Sequence, residues 1–216
     1  MKILTVEEHI LSSNEEQAKK NNDRLNEHGI LAINMMSSPG AGKTSLILRT
    51  ISGLKTKFRI AVIEGDIAST LDADKVNQHG IPVIQINTAS SCHLDAHIVG
   101  KALDNLPLND LDLLIVENVG NLVCPAEFSL GEHKKVILLS TPEGHDKPYK
   151  YPLMFTKADA VLINKVDLLP HIDFDMSAFL QGVSALNSDA DLIHISCKTG
   201  DGLDKWFSWL EAKIAK

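Results

Sequence analysis

A glycine-rich octapeptide between an apolar run and a helical pattern determines how this chain is interpreted. Residues 37–44 read Ser-Ser-Pro-Gly-Ala-Gly-Lys-Thr and match the phosphate-binding loop pattern G-x-x-x-x-G-K-[ST], except that Ser37 replaces the first glycine. The run at 30–36 is apolar enough for a buried strand, and a helical pattern begins at Thr44. Such a loop surrounds phosphates with backbone N–H groups, while its lysine and hydroxyl face the phosphate charge and a Mg2+ ion. The predicted phosphate contacts are Gly40, Ala41, Gly42, Lys43, Thr44 and Ser45.

Apolar runs alternate with helical patterns along the chain of 216 residues. This alternation predicts an α/β fold: a doubly wound, mainly parallel sheet of about seven strands with helices on both faces. We expect a single P-loop domain over 1–216, with an N-terminal helix at about 5–28 and a left-handed cap at Gly29. The predicted strands cover residues 30–36, 58–63, 82–86, 111–116, 136–140, 160–163 and 192–195.

The tetrapeptide Asn164-Lys165-Val166-Asp167 indicates which base is bound. It follows the buried run 160–163, and ligands of open α/β sheets lie at the carboxyl ends of the strands. A carboxylate only accepts hydrogen bonds, so Asp167 can take both the N1–H and the exocyclic amino group of guanine, whereas adenine presents an acceptor at N1. The sequence therefore predicts binding of GTP and GDP through Asn164, Lys165 and Asp167.

Two acidic residues at strand ends complete a predicted Mg2+ site. Asp66 and Glu117 each follow an apolar run, and together with the Thr44 hydroxyl they supply the oxygen ligands that Mg2+ prefers. Alternatively, either carboxylate caps a helix or lies solvated in a loop. Glu117 also begins a Glu-x-x-Gly element that resembles the D-x-x-G element of G proteins, in which the N–H of the glycine, here Gly120, senses the γ-phosphate. The predicted catalytic residues are Lys43, Thr44, Asp66, Glu117 and Gly120.

A second group of residues suits a transition metal. A helix beginning near Cys92 would place its thiol at the positive helix end and set His93 and His97 one turn apart. Thiolate and imidazole ligands, with Cys124 added, suit Zn2+ or Ni2+. Alternatively, the Cys-His pair is a buried thiol beside a surface histidine. A metal at Cys124 would be attached to the loop that follows Glu117.

Composition excludes several classes of protein. The net charge of −7 argues against a sequence-independent nucleic-acid binder, which normally has a basic face. No run approaches the roughly 18 apolar residues that cross a bilayer, so no membrane insertion is expected. The first eight residues lack the features of a secretory signal, and we expect a cytoplasmic protein. Three cysteines cannot all pair within one chain, and no disulfide framework is expected.

The chain as a whole resembles the hydrogenase nickel-incorporation GTPases of the HypB family, in the signal-recognition/MinD-type branch of P-loop GTPases. The resemblance implies slow GTP hydrolysis, GTP-linked homodimerisation and a Ni2+/Zn2+ site shared across the dimer by Cys92, His93 and Cys124, with His97 as a candidate extra ligand. It also implies two partners, a hydrogenase large-subunit precursor and a nickel-delivery accessory protein. The segments that carry the match are 38–44, 64–66, 92–96, 117–125 and 164–167.

Further site residues follow from this resemblance. Ser196, Cys197 and Lys198 are similar to the guanine loop of G proteins, with Cys197 as a small residue whose backbone N–H reaches guanine O6. Lys150 is similar to a family lysine that reaches the nucleotide of the partner subunit; alternatively, it is a solvated lysine. Neither a Cys-rich nor a His-rich nickel motif precedes Gly29, so high-affinity nickel storage is not expected.

Two other functions remain open at this stage. A GTPase that serves urease is disfavoured because Cys92-His93 stands where that sister family has Cys-Pro-His, although service to urease or another nickel enzyme remains an alternative. A P-loop small-molecule kinase is disfavoured by Asn164-Lys165-x-Asp167, since such kinases mostly bind ATP and need a lid with arginines. The three arginines, Arg24, Arg49 and Arg59, lie in no evident lid.

Overall fold

Seven strands pair in parallel to form one sheet in the computed structural model, which describes residues 6–67, 71–89 and 91–215. In chain order the strands are β1 (Leu31–Met36), β2 (Ile60–Asp66), β3 (Val83–Asn87), β4 (Leu113–Glu117), β5 (Lys134–Ser140), β6 (Ala160–Asn164) and β7 (Asp191–His194). Their order across the sheet is β3-β2-β4-β1-β5-β6-β7, and all six pairings are parallel. The predicted fold class is confirmed.

Helices fill the connections between the strands. They are α1 (Val6–Glu27), α2 (Lys43–Leu54), α3 (Leu71–Asn77), α4 (Ala96–Leu103), α5 (Lys147–Lys150), α6 (Pro152–Thr156), α7 (Met176–Leu186) and α8 (Leu203–Ile214). Short 3-10 turns cover Leu108–Asp110, Cys124–Ala126, Thr141–Glu143 and Val166–His171. Within the described ranges, no helix combines the length and apolar character needed to cross a membrane.

Apolar side chains on both faces of the sheet form the core. On one face the strands pack against α2 and α8, where Leu46 and Trp206 are fully buried. On the other face Leu25 of α1 and Leu103 of α4 cover β2 and β4. Both faces of a parallel sheet must be covered, which explains why its strands read as continuous apolar runs rather than alternating ones.

The carboxyl ends of the central strands carry the residues of interest. The glycine-rich loop follows β1, which lies in the middle of the sheet between β4 and β5. Asp66 ends β2 and Glu117 ends β4 on one side, whereas Asn164 ends β6 on the other. In open α/β sheets this edge is where ligands bind.

The element boundaries differ from the predicted ones in one informative place. α1 ends at Glu27, and Gly29 has a φ of +66°, which confirms its left-handed cap; residue 5 lies outside the described part of the chain. β2 runs on to Asp66, three residues beyond the predicted end at 63. As a result, Glu64 lies inside the strand and is buried, with 3% of its surface exposed.

Candidate functional site

The glycine-rich loop adopts a conformation that its glycines make accessible. Gly40 and Gly42 have φ angles of +78° and +103°, in the region that favours glycine. A Cβ at Gly42 would also lie only 2.5 Å from Nδ2 of Asn164. Immediately after the loop, Lys43 begins α2 and donates from Nζ to the Ser37 hydroxyl over 2.9 Å. Ser37, where the consensus has glycine, thus holds the ammonium group in the loop.

Two buried glutamates lie near this lysine, and one of them, Glu117, lines the phosphate pocket. Oε1 of Glu117 accepts a hydrogen bond from the Thr44 hydroxyl at 3.2 Å and lies 3.9 Å from Lys43 Nζ. Glu64 is the register partner of Glu117 across β2 and β4. Burial, together with the nearby Glu117, raises the pKa of Glu64 to about 10. Burial also raises the pKa of Glu117 and lowers that of Lys43, so these groups meet in a site that disfavours uncompensated charge.

The same carboxyls fit a bound cation. Within the described ranges, Oε1 of Glu64 and Oε2 of Glu117 are buried side-chain atoms without a hydrogen-bond partner. Such orphaned oxygens need a partner, because a buried polar atom that loses water costs about 1–3 kcal/mol. Glu117 borders a cavity of about 570 Å³ that Asp66 and Thr44 also line, and Glu64 lies directly behind it as its register partner. The donor set of carboxylates and one hydroxyl is the kind that Mg2+ binds.

A second cavity of about 330 Å³ adjoins the first and is lined by the residues predicted to bind guanine, except Ser196, which is fully buried. Asn164 stands between its two walls: Nδ2 donates to the Ala41 carbonyl at 2.9 Å, and Oδ1 accepts the Cys197 N–H at 3.1 Å. The Ser196 hydroxyl donates to Oδ1 of Asp167 at 2.6 Å and fixes the orientation of that carboxylate. The cavity is lined by Gly42, Ser45, Asn164, Lys165, Asp167, Leu168, Cys197 and Lys198.

Gly120 lies against the phosphate-binding loop. A Cβ at this position would be 3.1 Å from the backbone nitrogen of Pro39 and 3.0 Å from its Cγ. A side chain at this position would therefore push the two loops apart by a few tenths of an ångström. The structure thus places Gly120 at the phosphate pocket, together with Asn118 and Val119.

A thiol and imidazole cluster lies on the same side of the sheet. The sulfurs of Cys92 and Cys124 are 3.0 Å apart, and Nδ1 of His93 lies 3.8 Å from Cys92 Sγ. Within the described ranges these three residues form the group whose ligand atoms all lie within 4.8 Å of one another. The His93 ring stacks on Phe128 with 4.1 Å between centroids, and burial lowers its pKa, which favours the neutral imidazole that a metal needs.

Two details of the predicted metal site are wrong. α4 begins at Ala96 rather than near Cys92, and Asp95 caps it by accepting the Ile98 N–H at 2.9 Å. Cys92 therefore lies in the loop before the helix. His97 is not brought into the cluster; its Nε2 lies 3.2 Å from the Ser13 hydroxyl of α1.

Two further predicted residues take other partners in the isolated chain. Lys150 forms an ion pair with Asp146, and 59% of its side chain is exposed. The Cys197 N–H is bonded to Asn164, and burial raises the pKa of its thiol to about 11, so this thiol stays protonated. A protonated thiol is a poor metal ligand, which agrees with its exclusion from the cluster.

Three buried polar residues of the site were missed by the sequence analysis as functional candidates: Glu64, Asn34 and Asn118. A charged or amide side chain inside an apolar strand was the available signal for the first two. Asn118 had no such signal, since it lies in a loop, where asparagine is common. Its importance follows from its hydrogen bonds alone.

The parallel sheet, the glycine-rich loop after its central strand and the two adjoining cavities define a P-loop nucleotide-binding protein. Residues 31–194 match the family described as CobW/HypB/UreG, nucleotide-binding domain. The chain is also 48% identical over 210 residues to hydrogenase maturation factor HypB of Azotobacter vinelandii, covering 97% of this chain and 69% of that protein. It therefore belongs to the CobW/HypB/UreG family, in the branch of the hydrogenase maturation factors HypB, which are P-loop GTPases.

Solved structures agree with this assignment. The crystal structure of hydrogenase maturation factor HypB from Archaeoglobus fulgidus matches with a TM-score of 0.89 and 38% identity, over 94% of this chain and 99% of that one. HypB from Helicobacter pylori in complex with nickel matches with the same TM-score and identity, over 94% of this chain and 95% of that one.

Proposed function

We propose that this chain is a GTP-hydrolysing switch that binds nickel or zinc and assists the insertion of nickel into a hydrogenase precursor. The observation that carries the proposal is that one short loop borders both sites. The segment 117–124 begins with Glu117 at the phosphate pocket, passes Gly120 against Pro39 and ends at Cys124 in the metal cluster. A change at the phosphates can therefore move a metal ligand without crossing the core.

Guanine is the base that the second cavity favours. The Asp167 carboxylate borders that cavity and is oriented by Ser196, so it can accept both N–H groups on the Watson–Crick edge of guanine. Adenine would leave the same carboxylate without donors. Discrimination of this kind is strong, because a site built to hydrogen-bond one substrate leaves its polar groups unpaired with another.

Hydrolysis relies on charge and position around the first cavity. Lys43 holds the charge of the β- and γ-phosphates, and the Gly120 N–H contacts the γ-phosphate. Thr44, Asp66 and Glu117, with Glu64 beside them, would hold a Mg2+ ion, which supplies charge neutralisation when bound. The unassisted rate is slow, because no arginine faces the phosphates: Arg24 and Arg59 pair with Asp104 and Asp112, and Arg49 binds the carbonyls of residues 197 and 198. A positioned arginine typically contributes about 10^3 to 10^5 in kcat.

The metal is the cargo of this switch. Two thiolates and one imidazole leave a tetrahedral or square-planar ion short of a ligand, so a second copy of the chain completes the set. Val123, next to Cys124, is 53% exposed, Ile67 is exposed where it lines the phosphate pocket, and Leu71 is exposed at the start of α3. These apolar side chains favour association of two copies at this edge. Lys150 reaches the partner's nucleotide in that dimer.

The recipient of the metal is a hydrogenase large-subunit precursor, and an accessory protein delivers nickel to the switch. The hydrogenase maturation factors that this chain resembles, including one solved in complex with nickel, support this step. The purified protein should be titrated with Ni2+ and Zn2+, each with GDP and with a non-hydrolysable GTP analogue, while phosphate release is measured with GTP and ATP. We expect GTP-specific slow turnover and metal binding that depends on the nucleotide. Metal affinity that is identical in both nucleotide states would exclude a switch.

A further inference from the structure

We propose that Asn118 is the positioning residue through which the nucleotide pocket controls the geometry of the metal ligands. This inference rests on the proposed function and adds the side chain that couples its two sites. Asn118 is fully buried and follows Glu117 directly. Its side-chain amide is hydrogen-bonded to the segment that carries Cys92 and His93, which lies well before Asn118 in the sequence.

On the nucleotide side, Asn118 is fixed to the central strand. Its backbone N–H donates to the Met35 carbonyl at 3.0 Å and so continues the pairing of β4 with β1. Two residues later, Gly120 lies in contact with Pro39 of the phosphate-binding loop. A γ-phosphate that draws Gly120 toward it therefore pulls on a segment that is anchored just before Asn118.

On the metal side, the Asn118 side chain holds the backbone next to two ligands. Oδ1 accepts the Leu94 N–H at 3.2 Å, and Leu94 is the residue after His93. The same oxygen accepts the Val119 N–H at 3.0 Å, so the 117–124 loop and the Cys92–Leu94 segment share one acceptor. Nδ2 of Asn121 adds a second link by donating to the Cys92 carbonyl at 3.3 Å. Because Asn118 is fully buried, a rotation of the loop at Asn118 either displaces Leu94 or leaves its buried N–H without an acceptor.

A series of side-chain hydrogen bonds also links Asn118 to the segment that follows Cys124. Nδ2 of Asn118 donates to Oδ1 of Asn34 at 3.2 Å, and Asn34 in turn donates to Glu132 at 3.4 Å. Oε2 of Glu132 accepts the Leu130 N–H at 2.6 Å, in the segment that follows Cys124 and Phe128. Asn118 therefore contacts the Cys92–Leu94 segment directly. It contacts the segment that follows Cys124 indirectly, through the side chains of Asn34 and Glu132.

Asn14 of α1 provides a matched control. It is also buried, and it also joins the two ligand segments: Oδ1 accepts the Ala96 N–H at 2.8 Å, and Nδ2 donates to the Ser129 carbonyl at 2.8 Å. These two hydrogen bonds join Asn14 to the residues that follow His93 and to those that follow Cys124, and neither involves the 117–124 loop. If both asparagines merely supported the fold, their replacement should have the same kind of effect. If Asn118 couples the sites, only its replacement should remove the dependence of metal binding on the nucleotide.

The test compares zinc affinity with Mg·GDP and with a Mg·GTP analogue in wild-type protein, Asn118→Ala and Asn14→Ala at one fixed protein concentration. We expect wild-type protein to bind Zn2+ about tenfold or more tightly with the analogue, within the usual range for coupled sites. The ratio should fall below about twofold in Asn118→Ala, whereas Asn14→Ala should bind Zn2+ more weakly in both states and keep about the wild-type ratio.

A second measurement uses only the wild-type protein, so the proposal can be tested even if Asn118→Ala does not fold. Backbone amide exchange of residues 92–96 in metal-free protein should slow when the GTP analogue replaces GDP. Unchanged exchange in that segment would overturn the role of Asn118, as would a wild-type ratio in Asn118→Ala. A wild-type ratio near one would instead overturn the switch itself, and the inference with it.

Discussion

Glu64 and Glu117 lie side by side in register on β2 and β4, and each has a buried carboxylate oxygen without a hydrogen-bond partner. Burial raises the pKa of both carboxyls, which in the isolated chain favours a state in which the pair keeps a proton. Lys43, itself buried, is the nearest positive charge, with Nζ at 3.9 Å from Glu117. The two carboxyls are therefore suited to a state in which a cation in addition to Lys43, such as Mg2+, lies beside them.

The first prediction concerns the pH dependence of stability without nucleotide and Mg2+. The pKa of Glu64 is raised from an ordinary 4.5 to about 10, so the folded protein holds a proton that the unfolded chain releases. Stability should therefore fall as the pH rises from about 5 toward 10. Glu64→Gln removes this titration and should raise the Tm more at pH 8 than at pH 5. In unfolding free energy, the gain at pH 8 should exceed the gain at pH 5 by up to a few kcal/mol. Thermal unfolding in a chelator at both pH values measures this.

Glu16→Gln, at an exposed position of α1, is the control for the loss of one carboxylate. It should leave the wild-type pH dependence intact. An equal gain in Tm at pH 5 and pH 8 for Glu64→Gln would mean that its carboxyl is not protonated in the folded protein.

The second prediction concerns base selection by Asp167. In Asp167→Asn the carboxylate becomes an amide that also donates, so guanine loses an acceptor whereas xanthine, with a carbonyl at C2, gains a donor. GTP affinity should fall by several kcal/mol and XTP should bind in preference. Competition of GTP and XTP for a fluorescent nucleotide analogue measures the change. Undiminished GTP binding would contradict a GTPase.

The third prediction concerns Lys43. Lys43→Ala removes the charge that faces the β- and γ-phosphates and should reduce turnover by at least about 10^3, since phosphoryl transfer depends on charge neutralisation. Phosphate release under single-turnover conditions measures the loss, with Lys19→Ala on the exposed face of α1 as control. Wild-type turnover of many molecules per second without a partner would contradict the slow switch.

The sequence predicted the sheet well, and it predicted that Asp66, Glu117 and Asn164 lie at strand ends, because both depend on local signals. Buried parallel strands read as apolar runs, and the polar residues after them mark the binding edge. The strand end at Asp66 was less predictable, since Glu64 interrupts the apolar run of β2 and only its neighbours across the sheet explain its burial. The strand propensity of the residues around Glu64 does not reveal its pairing with Glu117 on the neighbouring strand.

The metal cluster was predicted by residue type but not by geometry. Cys92 and Cys124 meet because two loops are held together by Asn14 and Asn118, and these long-range hydrogen bonds leave no periodic pattern in the sequence. The expected helix at Cys92 was wrong: serine and aspartate are about equally good N-caps, and the chain uses Asp95 rather than Ser91. Helix spacing had suggested His97 as an extra ligand, and the later start of α4 removed the basis for it.

The fourth prediction concerns the metal ligands. Changing both Cys92 and Cys124 to alanine removes the two thiolates and should weaken Ni2+ and Zn2+ binding by at least about 10^2, because imidazole alone holds these ions poorly. GTP binding to the monomer should stay nearly unchanged. Cys197→Ala is the matched control, since its thiol lies in the guanine cavity and outside the cluster. Metal binding that survives the double change but is lost in Cys197→Ala would place the site elsewhere.

The last prediction concerns association of two copies. If the γ-phosphate orders the 117–124 loop, it should bring two sets of Cys92, His93 and Cys124 together across a two-fold axis. Metal and GTP then strengthen each other's binding, as linkage requires when both favour the dimer. Sedimentation with GDP, with a GTP analogue, and with each plus one equivalent of Ni2+ or Zn2+ should show the largest dimer fraction when both ligands are present. Equal metal binding by monomer and dimer, with or without the analogue, would leave a GTPase with an unconnected metal site.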